Sequence, residues 1–261
     1  AESRLHHPRR QRHLDELVTR VGVRLMSASR DSISLVTEWT LRSLGEFFQV
    51  DTVYLRRNDH SLGVTILIDE WPRRENVPDP DPLGVVSFDA DPVFGAIRTL
   101  REPYVIRPDV SPDEYQERIE QASGIPQISM AMVPLVHDDV TEGVLGFVNF
   151  GDRPWEIEEI NALQAIASLI MQLQARIDAE ERLHHSAFHD ALTGLPNRRR
   201  LIDELDRRGR GEGDKTTALL FVDFDHFKTL NDALGHSTGD RLLIGTAHRL
   251  RTAIPPNDLA T

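Results

Sequence analysis

The stretch ISMAMVPLVHDDVTEGVLGFVNFG, residues 128–151, decides the fold of the larger part of the chain. Two apolar runs rich in β-branched residues flank a polar segment with two aspartates, a pattern typical of two strands joined by a hairpin. Shorter runs of the same kind occur upstream as DTVYLRR, GVTILIDEW and PYVIR, separated by Pro, Gly and Asp clusters. Together with helices predicted near 91–101 and 112–122, they predict an antiparallel sheet with helices packed on it.

Two amphipathic helices precede the strands. Residues 12–30 carry an apolar stripe at spacings of three and four, formed by Leu14, Leu17, Val18, Val21 and Leu25, and a second helix is predicted over 32–48. Residues 1–11 are predicted to be a disordered tail. The prolines of EWPRRENVPDPDPLG, residues 70–84, predict a loop because proline cannot donate to a sheet ladder.

The composition excludes several classes of function. The chain has 261 residues, 39% of them hydrophobic and 28% charged, with a formal charge of −12 and no cysteine. An acidic surface repels phosphate backbones, so we expect no nucleic-acid partner. Thiolate metal sites and cysteine nucleophiles are excluded. No apolar run reaches the roughly eighteen residues of a membrane span, and the N-terminus lacks a signal-peptide core, so we expect no membrane partner and a cytoplasmic location.

One long helix is predicted over residues 156–188. Its apolar stripe alternates steps of three and four along Leu163, Ile166, Ile170, Leu173 and Ile177, and continues as Glu180, His184 and Ala187. This spacing fits a helix packed on its own domain, and it also fits the seam of a parallel coiled coil. For the first half both interpretations stay open. Beyond Ile177 the coiled coil is favoured, with a softer joint at Glu180 and His184.

Polar residues cluster after the last apolar run. TTALLFVDFD, residues 216–225, is predicted to be a buried strand, entered from a Gly-rich loop at 209–213. At the end of that strand Asp223 and Asp225 would point to the same side and suit Mg²⁺, which prefers hard oxygen ligands. The alternative is that Asp225 caps the next helix while Asp223 is only solvated.

Two motifs then identify a family. DALTGLPNRR at 190–199 and VDFDHFKTLNDALGHSTGD at 222–240 resemble the opening half of a GGDEF domain, the diguanylate cyclase family, at every fixed position. The resemblance covers residues 190–261 and implies an incomplete nucleotide-cyclase-like α/β domain. It implies that the Asp223 carboxylate and the Phe224 carbonyl bind catalytic Mg²⁺ or Mn²⁺.

The same resemblance assigns the nucleotide contacts. Lys228 and the backbone at Phe227 fall where the family holds the triphosphate of GTP, so Lys228 is also a catalytic candidate. Asn231 and Asp240 fall at the guanine-binding positions, and a carboxylate suits the N–H pair of guanine. Asp225 is interpreted as part of a turn or as a helix cap, and His236 as structural.

The implied reaction is the condensation of two GTP to cyclic di-GMP in bacterial signalling, each GTP held by one of two facing domains. A homodimer through the helix of residues 156–188 would bring the two halves together. The G-G-[DE]-E-F signature is absent from the 261 residues and would begin just past Thr261, so the chain by itself is expected to be inactive. The family's inhibitory R-x-x-D motif aligns with Pro255 and Asp258 and lacks its arginine.

The front of the chain resembles a GAF sensor domain. The resemblance rests on the order of elements, on residues 128–151, and on the following W-x-x-x-E-I-x-x-L-x-x-I-A. It divides the chain into a tail (1–11), a GAF-like domain (12–155), a linker helix (156–189) and a partial GGDEF domain (190–261). No cysteine can attach a bilin, and the ligand stays unknown. His137 is interpreted as a surface residue, and the histidines 184, 185 and 189 as part of the joint rather than a metal site.

Three functions compete at this level. The first is a sensor-regulated diguanylate cyclase. The second is a GTP-binding domain that regulates a cyclic di-GMP phosphodiesterase (EAL) domain farther along the parent chain. The third is a dimerisation module without catalysis. The intact residues Asp223, Lys228, Asn231 and Asp240 favour the first two.

Overall fold

The computed structural model describes residues 3–90, 92–108, 127–209, 217–255 and 258–261. They divide into two compact units, Ala1–Ile177 and Asp178–Thr261. The predicted helix at 112–122 lies outside the described residues, as does nearly all of the predicted Gly-rich loop at 209–213. None of the helices in the described ranges combines the length and the apolar composition that crossing a membrane requires.

The first unit is a six-stranded sheet with helices. In chain order its elements are α1 (Ser3–Ser27), α2 (Ile33–Phe48), β1 (Thr52–Asp59), β2 (Val64–Trp71), β3 (Val85–Ser87), α3 (Pro92–Ile97), β4 (Tyr104–Ile106), β5 (Ile128–His137), β6 (Val140–Phe150) and the first part of α4 (Ile157–Phe188). The strand order is β3-β2-β1-β6-β5-β4, and every pair is antiparallel. The predicted antiparallel sheet with packed helices is confirmed.

The β5–β6 hairpin supplies two interior strands of this sheet. Its pairing runs from Ile128 opposite Phe150 to His137 opposite Val140. The two turn residues, Asp138 and Asp139, have φ values of 46° and 58°, which is the geometry of a two-residue hairpin turn and one that aspartate tolerates. Both faces of β5 are covered, which explains why its sequence is nearly continuously apolar rather than alternating.

Helices α1, α2 and α4 share one core on one face of the sheet. The predicted stripe of α1 lies in it, with Leu14, Leu17, Val21 and Leu25 all buried. Helix α1 begins at Ser3, so residues 3–11 are helical and not a disordered tail. Arg10 gives a physical reason, since its guanidinium donates to Glu156 and to Glu159 at 2.8 Å each and ties this turn to the start of α4.

The apolar stripe of α4 belongs to that core. Leu163, Ile166, Leu173 and Ile177 are buried in it, and Ile170 packs against it while partly exposed. A side chain buried in its own domain cannot also line a seam with a second chain. For this half of the helix the single-domain interpretation therefore holds, and a coiled coil beyond Ile177 stays a prediction.

A buried carboxylate joins three segments at the start of α4. Glu159 is 3% exposed, and its Oε1 accepts from Arg10 at 2.8 Å and from Arg153 at 3.1 Å. The Arg153 guanidinium also lies over the Trp155 ring, 3.8 Å from its centroid. Because a buried charge is costly unless it is paired, this network fixes α1, the segment after β6 and the start of α4 together.

The second unit contains the end of α4, α5 (Arg198–Gly209), α6 (Phe227–Leu234) and α7 (His236–Ala253). The predicted buried strand is wrong for residues 217–225, which are not a strand and expose Leu220, Phe221 and Val222. A strand needs a neighbour for its backbone N–H and C=O groups. Residues 178–209, 217–255 and 258–261 contain no strand that could pair with it.

The burial of the α4 stripe predicts the outcome of placing a charge in it. Leu173→Glu should destabilise the first unit by about 4 kcal/mol or more, because it puts a carboxylate at an apolar core position that is only 3% exposed. Leu183→Glu, at a position of the same helix that is 69% exposed, should leave the unfolding transition unchanged. Thermal unfolding followed by circular dichroism distinguishes the two variants, and sedimentation checks for a change in association. A Leu173→Glu chain that stays folded and only changes oligomeric state would contradict this packing.

Candidate functional site

The segment DALTGLPNRR ends α4 and starts α5. The Asp190 Oδ1 accepts from the Thr193 backbone N–H at 2.9 Å and from the Thr193 hydroxyl at 2.8 Å, and these bonds lower the pKa of Asp190. The Asn197 Oδ1 accepts from the backbone N–H groups of Arg199 and Arg200 and so caps α5. Gly194 has φ +67° at the turn between them. These motif residues have structural roles.

Helices α6 and α7 bring together the two predicted guanine contacts. Gly235, with φ +81°, separates the two helices. A Cβ on Gly239 would collide with the carboxamide of Asn231, so the glycine lets this side chain pack directly on the backbone of α7. Asn231 thereby contacts the residue that immediately precedes Asp240.

The Asn231 carboxamide has an unsatisfied hydrogen-bond acceptor. Its Oδ1 is buried and has no hydrogen-bond partner among the described residues. Such a group is costly in a native structure, and it is common at binding sites, where a ligand completes the bonding. Asp240, the residue after Gly239, is exposed. The half-buried Asn231 and the exposed Asp240 thus belong to the same corner between α6 and α7.

The predicted metal and phosphate residues lie just before and on α6. Asp223 and Asp225 are exposed, and Asp225 sits in the turn before the helix. The N-cap position is His226, with φ 59° and no side-chain cap bond, so Asp225 has the turn position and not the cap position of its predicted roles. The Phe224 and Phe227 rings pack with centroids 5.9 Å apart. Lys228 lies on the exposed side of α6, and the structure shows no contact that unites it with Asp223.

These residues have the ligand chemistry that a divalent cation requires, but they are too few to complete its coordination shell. Two carboxylates and a backbone carbonyl within three residues are hard oxygen donors of the sort that Mg²⁺ and Mn²⁺ accept. The described ranges contain no group of three or more His, Cys, Asp or Glu side chains placed to hold a metal. Asp223, Phe224 and Asp225 would therefore supply part of a coordination shell and leave the rest to water, phosphate or other protein groups.

The remaining predicted positions are accounted for as follows. The His137 side chain is 54% exposed, near the Asp138 carboxylate, in agreement with a surface residue. The His185 and His189 rings stack with centroids 4.1 Å apart, whereas the His184 ring packs on Phe188. The three histidines thus do not converge on one point. Farther on, the Asp258 N–H donates to the Pro255 carbonyl.

One feature of the first unit was not predicted from the sequence: a cavity of about 500 Å³ on the helical side of the sheet. Its walls come from α1, α2, β1, β2, the residues after β2, and α4. No motif could reveal it, because these segments are far apart along the chain.

Two family models match the chain. The "GAF domain" model covers residues 33–173, more than half of the chain, and the "Diguanylate cyclase, GGDEF domain" model covers residues 187–261. Among solved structures, the GAF domain of a phosphoenolpyruvate-protein phosphotransferase from Coxiella burnetii superposes with a TM-score of 0.51 at 12% identity, covering 66% of this chain and 98% of that domain. At this identity the likeness shows the fold alone.

Two relatives extend the comparison. An uncharacterized protein of Mycobacterium tuberculosis is 46% identical over 242 residues, 92% of this chain and 39% of that protein. The diguanylate cyclase TpbB of Pseudomonas aeruginosa is 41% identical over 105 residues, 39% of this chain and 23% of that protein. The chain thus spans about two fifths of the length of the mycobacterial relative. It belongs to the GAF-domain family, and its GAF domain is followed by a segment, residues 187–261, that matches the GGDEF-domain model.

Proposed function

We propose that the parent protein is a cytoplasmic, sensor-regulated diguanylate cyclase that condenses two GTP to cyclic di-GMP. The observation that carries the proposal is the placement of Asn231 against Gly239, next to Asp240, with an unsatisfied amide oxygen. Guanine offers a carbonyl oxygen and two N–H donors on one edge. The Asn231 amide and the Asp240 carboxylate together can match that edge.

The phosphate end of GTP would lie toward the start of α6. Lys228 is exposed on the first turn of this helix, where an ammonium group can reach a phosphate as a point charge. Asp223, with the Phe224 carbonyl, would hold Mg²⁺ or Mn²⁺. When bound, such a cation favours ionisation of the attacking hydroxyl and neutralises the phosphate charge. The role of the protein side chains is mainly to position the two nucleotides.

The reaction requires a second half-site. The 3′-oxygen of one GTP forms a bond to the α-phosphorus of the other, the bond from that phosphorus to the β-phosphate bridge breaks, and pyrophosphate leaves with its electrons. Two such steps give cyclic di-GMP and two pyrophosphates. Because one domain holds one GTP, we propose a homodimer. Its surface must differ from Leu163, Ile166, Leu173 and Ile177, which are buried within one chain.

A second function is favoured by one specific observation. The chain corresponds to 39% of its mycobacterial relative, which leaves room for a further domain in a protein of that length. The GGDEF part would then bind GTP and regulate an EAL-type phosphodiesterase in the same chain. Mass spectrometry of the products that the parent forms from GTP, and separately from cyclic di-GMP, distinguishes the two directions.

The metal assignment predicts the effect of one substitution in the parent. Asp223→Asn should lower the rate of cyclic di-GMP formation at least about a hundredfold, since it removes a charged ligand, while the melting temperature stays the same because the side chain is exposed. Asp206→Asn, at an exposed position of α5 outside the motifs, is the matched control and should keep full activity. A parent that turns over GTP normally with Asn at 223 would exclude this site.

The 261 residues taken alone should form no cyclic di-GMP. They lack a G-G-[DE]-E-F segment, and the acidic groups of the described ranges do not form a three-ligand metal site. Incubation with GTP and Mg²⁺, followed by mass spectrometry, tests this, with a complete family member as positive control. Product formed at a rate proportional to the chain concentration would contradict it.

The parent should also lack feedback inhibition through the R-x-x-D position. Pro255 offers neither charge nor a side-chain donor for a phosphate or a guanine edge. Initial rates measured against added cyclic di-GMP should show competition with GTP only. Noncompetitive inhibition that disappears in an Asp258→Ala variant would show that the site works without its arginine.

A further inference from the structure

The first unit contains a cavity of about 500 Å³, here called the α2–α4 cavity. It lies on the same side of the sheet as the three long helices. Its lining combines aliphatic side chains with a few polar ones. A volume of this size is typical of sites that hold small organic ligands.

The floor of the α2–α4 cavity is apolar and rigid. Leu25, Leu41, Leu55 and Leu173 line it, and all four are buried in the main core. Thr40 also lines it, but its hydroxyl donates to the Val36 carbonyl at 2.7 Å, so this group is already satisfied. A ligand body that lies on this floor would have to be hydrocarbon-like.

The rim carries an excess of negative charge. Arg73 donates to the Glu38 carboxylate at 3.2 Å and lies 3.7 Å from the Asp69 carboxylate, so two anions share one cation. The Asp69 Oδ1 also accepts from the Glu70 backbone N–H, whereas no hydrogen bond to Oδ2 occurs among the described residues. Burial raises the pKa of Asp69, which indicates a carboxylate that has lost water without gaining a full set of partners.

We propose that the α2–α4 cavity binds a small amphipathic cation, with its hydrocarbon part on the leucine floor and its ammonium group at Oδ2 of Asp69, the carboxylate oxygen that Arg73 does not contact. The apolar part gains by leaving water, and the ammonium group balances the unpaired negative charge of the rim. An amphipathic anion of the same length would place like charges together. The charge of the head group therefore decides affinity.

Helix α4 connects this site to the GGDEF part along the chain, so ligand binding could regulate that part. Ile170, Leu173 and Gln174 of α4 line the cavity, and the same helix continues to Phe188, where the GGDEF part begins. A ligand that binds only one position of α4 would favour that position. This regulatory consequence rests on the proposed function, whereas binding itself does not and is tested separately.

The test uses the chain with n-octylammonium, n-octanoate and n-octanol as probes of equal length, each below its aggregation concentration, in isothermal titration and thermal-shift measurements. We expect one octylammonium per chain and an affinity at least about tenfold above that of octanoate. Asp69→Asn should reduce this preference severalfold. Glu46→Gln, which changes an exposed carboxylate of α2 paired with Arg42 outside the cavity, should leave it unchanged.

A second experiment fills the cavity with larger side chains. Thr37→Trp and Ile68→Trp place an indole into the lining from two different elements, and either should abolish octylammonium binding in a chain that keeps its circular dichroism spectrum. Ile68 is 46% exposed, so its variant is expected to fold even if Thr37→Trp does not. Equal affinity for the cation and the anion, no saturable binding of octylammonium, or undiminished binding in a folded tryptophan variant would each overturn the proposal.

Discussion

The structure of the first unit depends on the burial of one face of α4. Leu163, Ile166, Leu173 and Ile177 fill the space between α1, α2 and the sheet, and the Glu159 carboxylate fixes the start of the helix to Arg10 and Arg153. Arg176 donates to the carbonyls of Met26 and Ala28 at the end of α1. Both the apolar contacts and the ion pairs thus hold α4 in its own domain. The same helix runs on to Phe188, two residues before the first GGDEF motif.

The GGDEF motifs separate into structural and chemical residues. Asp190 and Asn197 use their side chains to end one helix and start the next, and Gly235 and Gly239 shape the α6–α7 corner. The residues Asp223, Lys228 and Asp240 are exposed, and their side chains form no hydrogen bond within the described ranges. Side chains that contribute nothing to the local fold are the ones available for a ligand. Asn231 has features of both groups, since it packs on Gly239 and leaves its Oδ1 unsatisfied.

Sequence patterns predicted the parts that depend on local chemistry. The hairpin of residues 128–151 could be predicted because its apolar runs and its Asp138–Asp139 turn lie next to each other in the chain. The strand at 216–225 was predicted wrongly in its described part, since pairing needs neighbours that periodicity cannot supply. The α4 stripe left two interpretations open, because a domain core and a two-chain seam require the same spacing. The α2–α4 cavity could not be predicted from the sequence, since its walls come from segments that are far apart along the chain.

The central claim is that α4 is a core helix of the GAF domain up to Ile177 and an exposed connector after it. Native-state hydrogen exchange measured along α4 tests it most directly. Amides from Leu163 to Ile177 should exchange only with global unfolding at every protein concentration, and amides beyond Glu180 should exchange much faster in the dilute protein. Protection from Leu163 to Ile177 that is lost on dilution would show that a second chain, and not the domain core, stabilises this half of the helix, and would contradict this account.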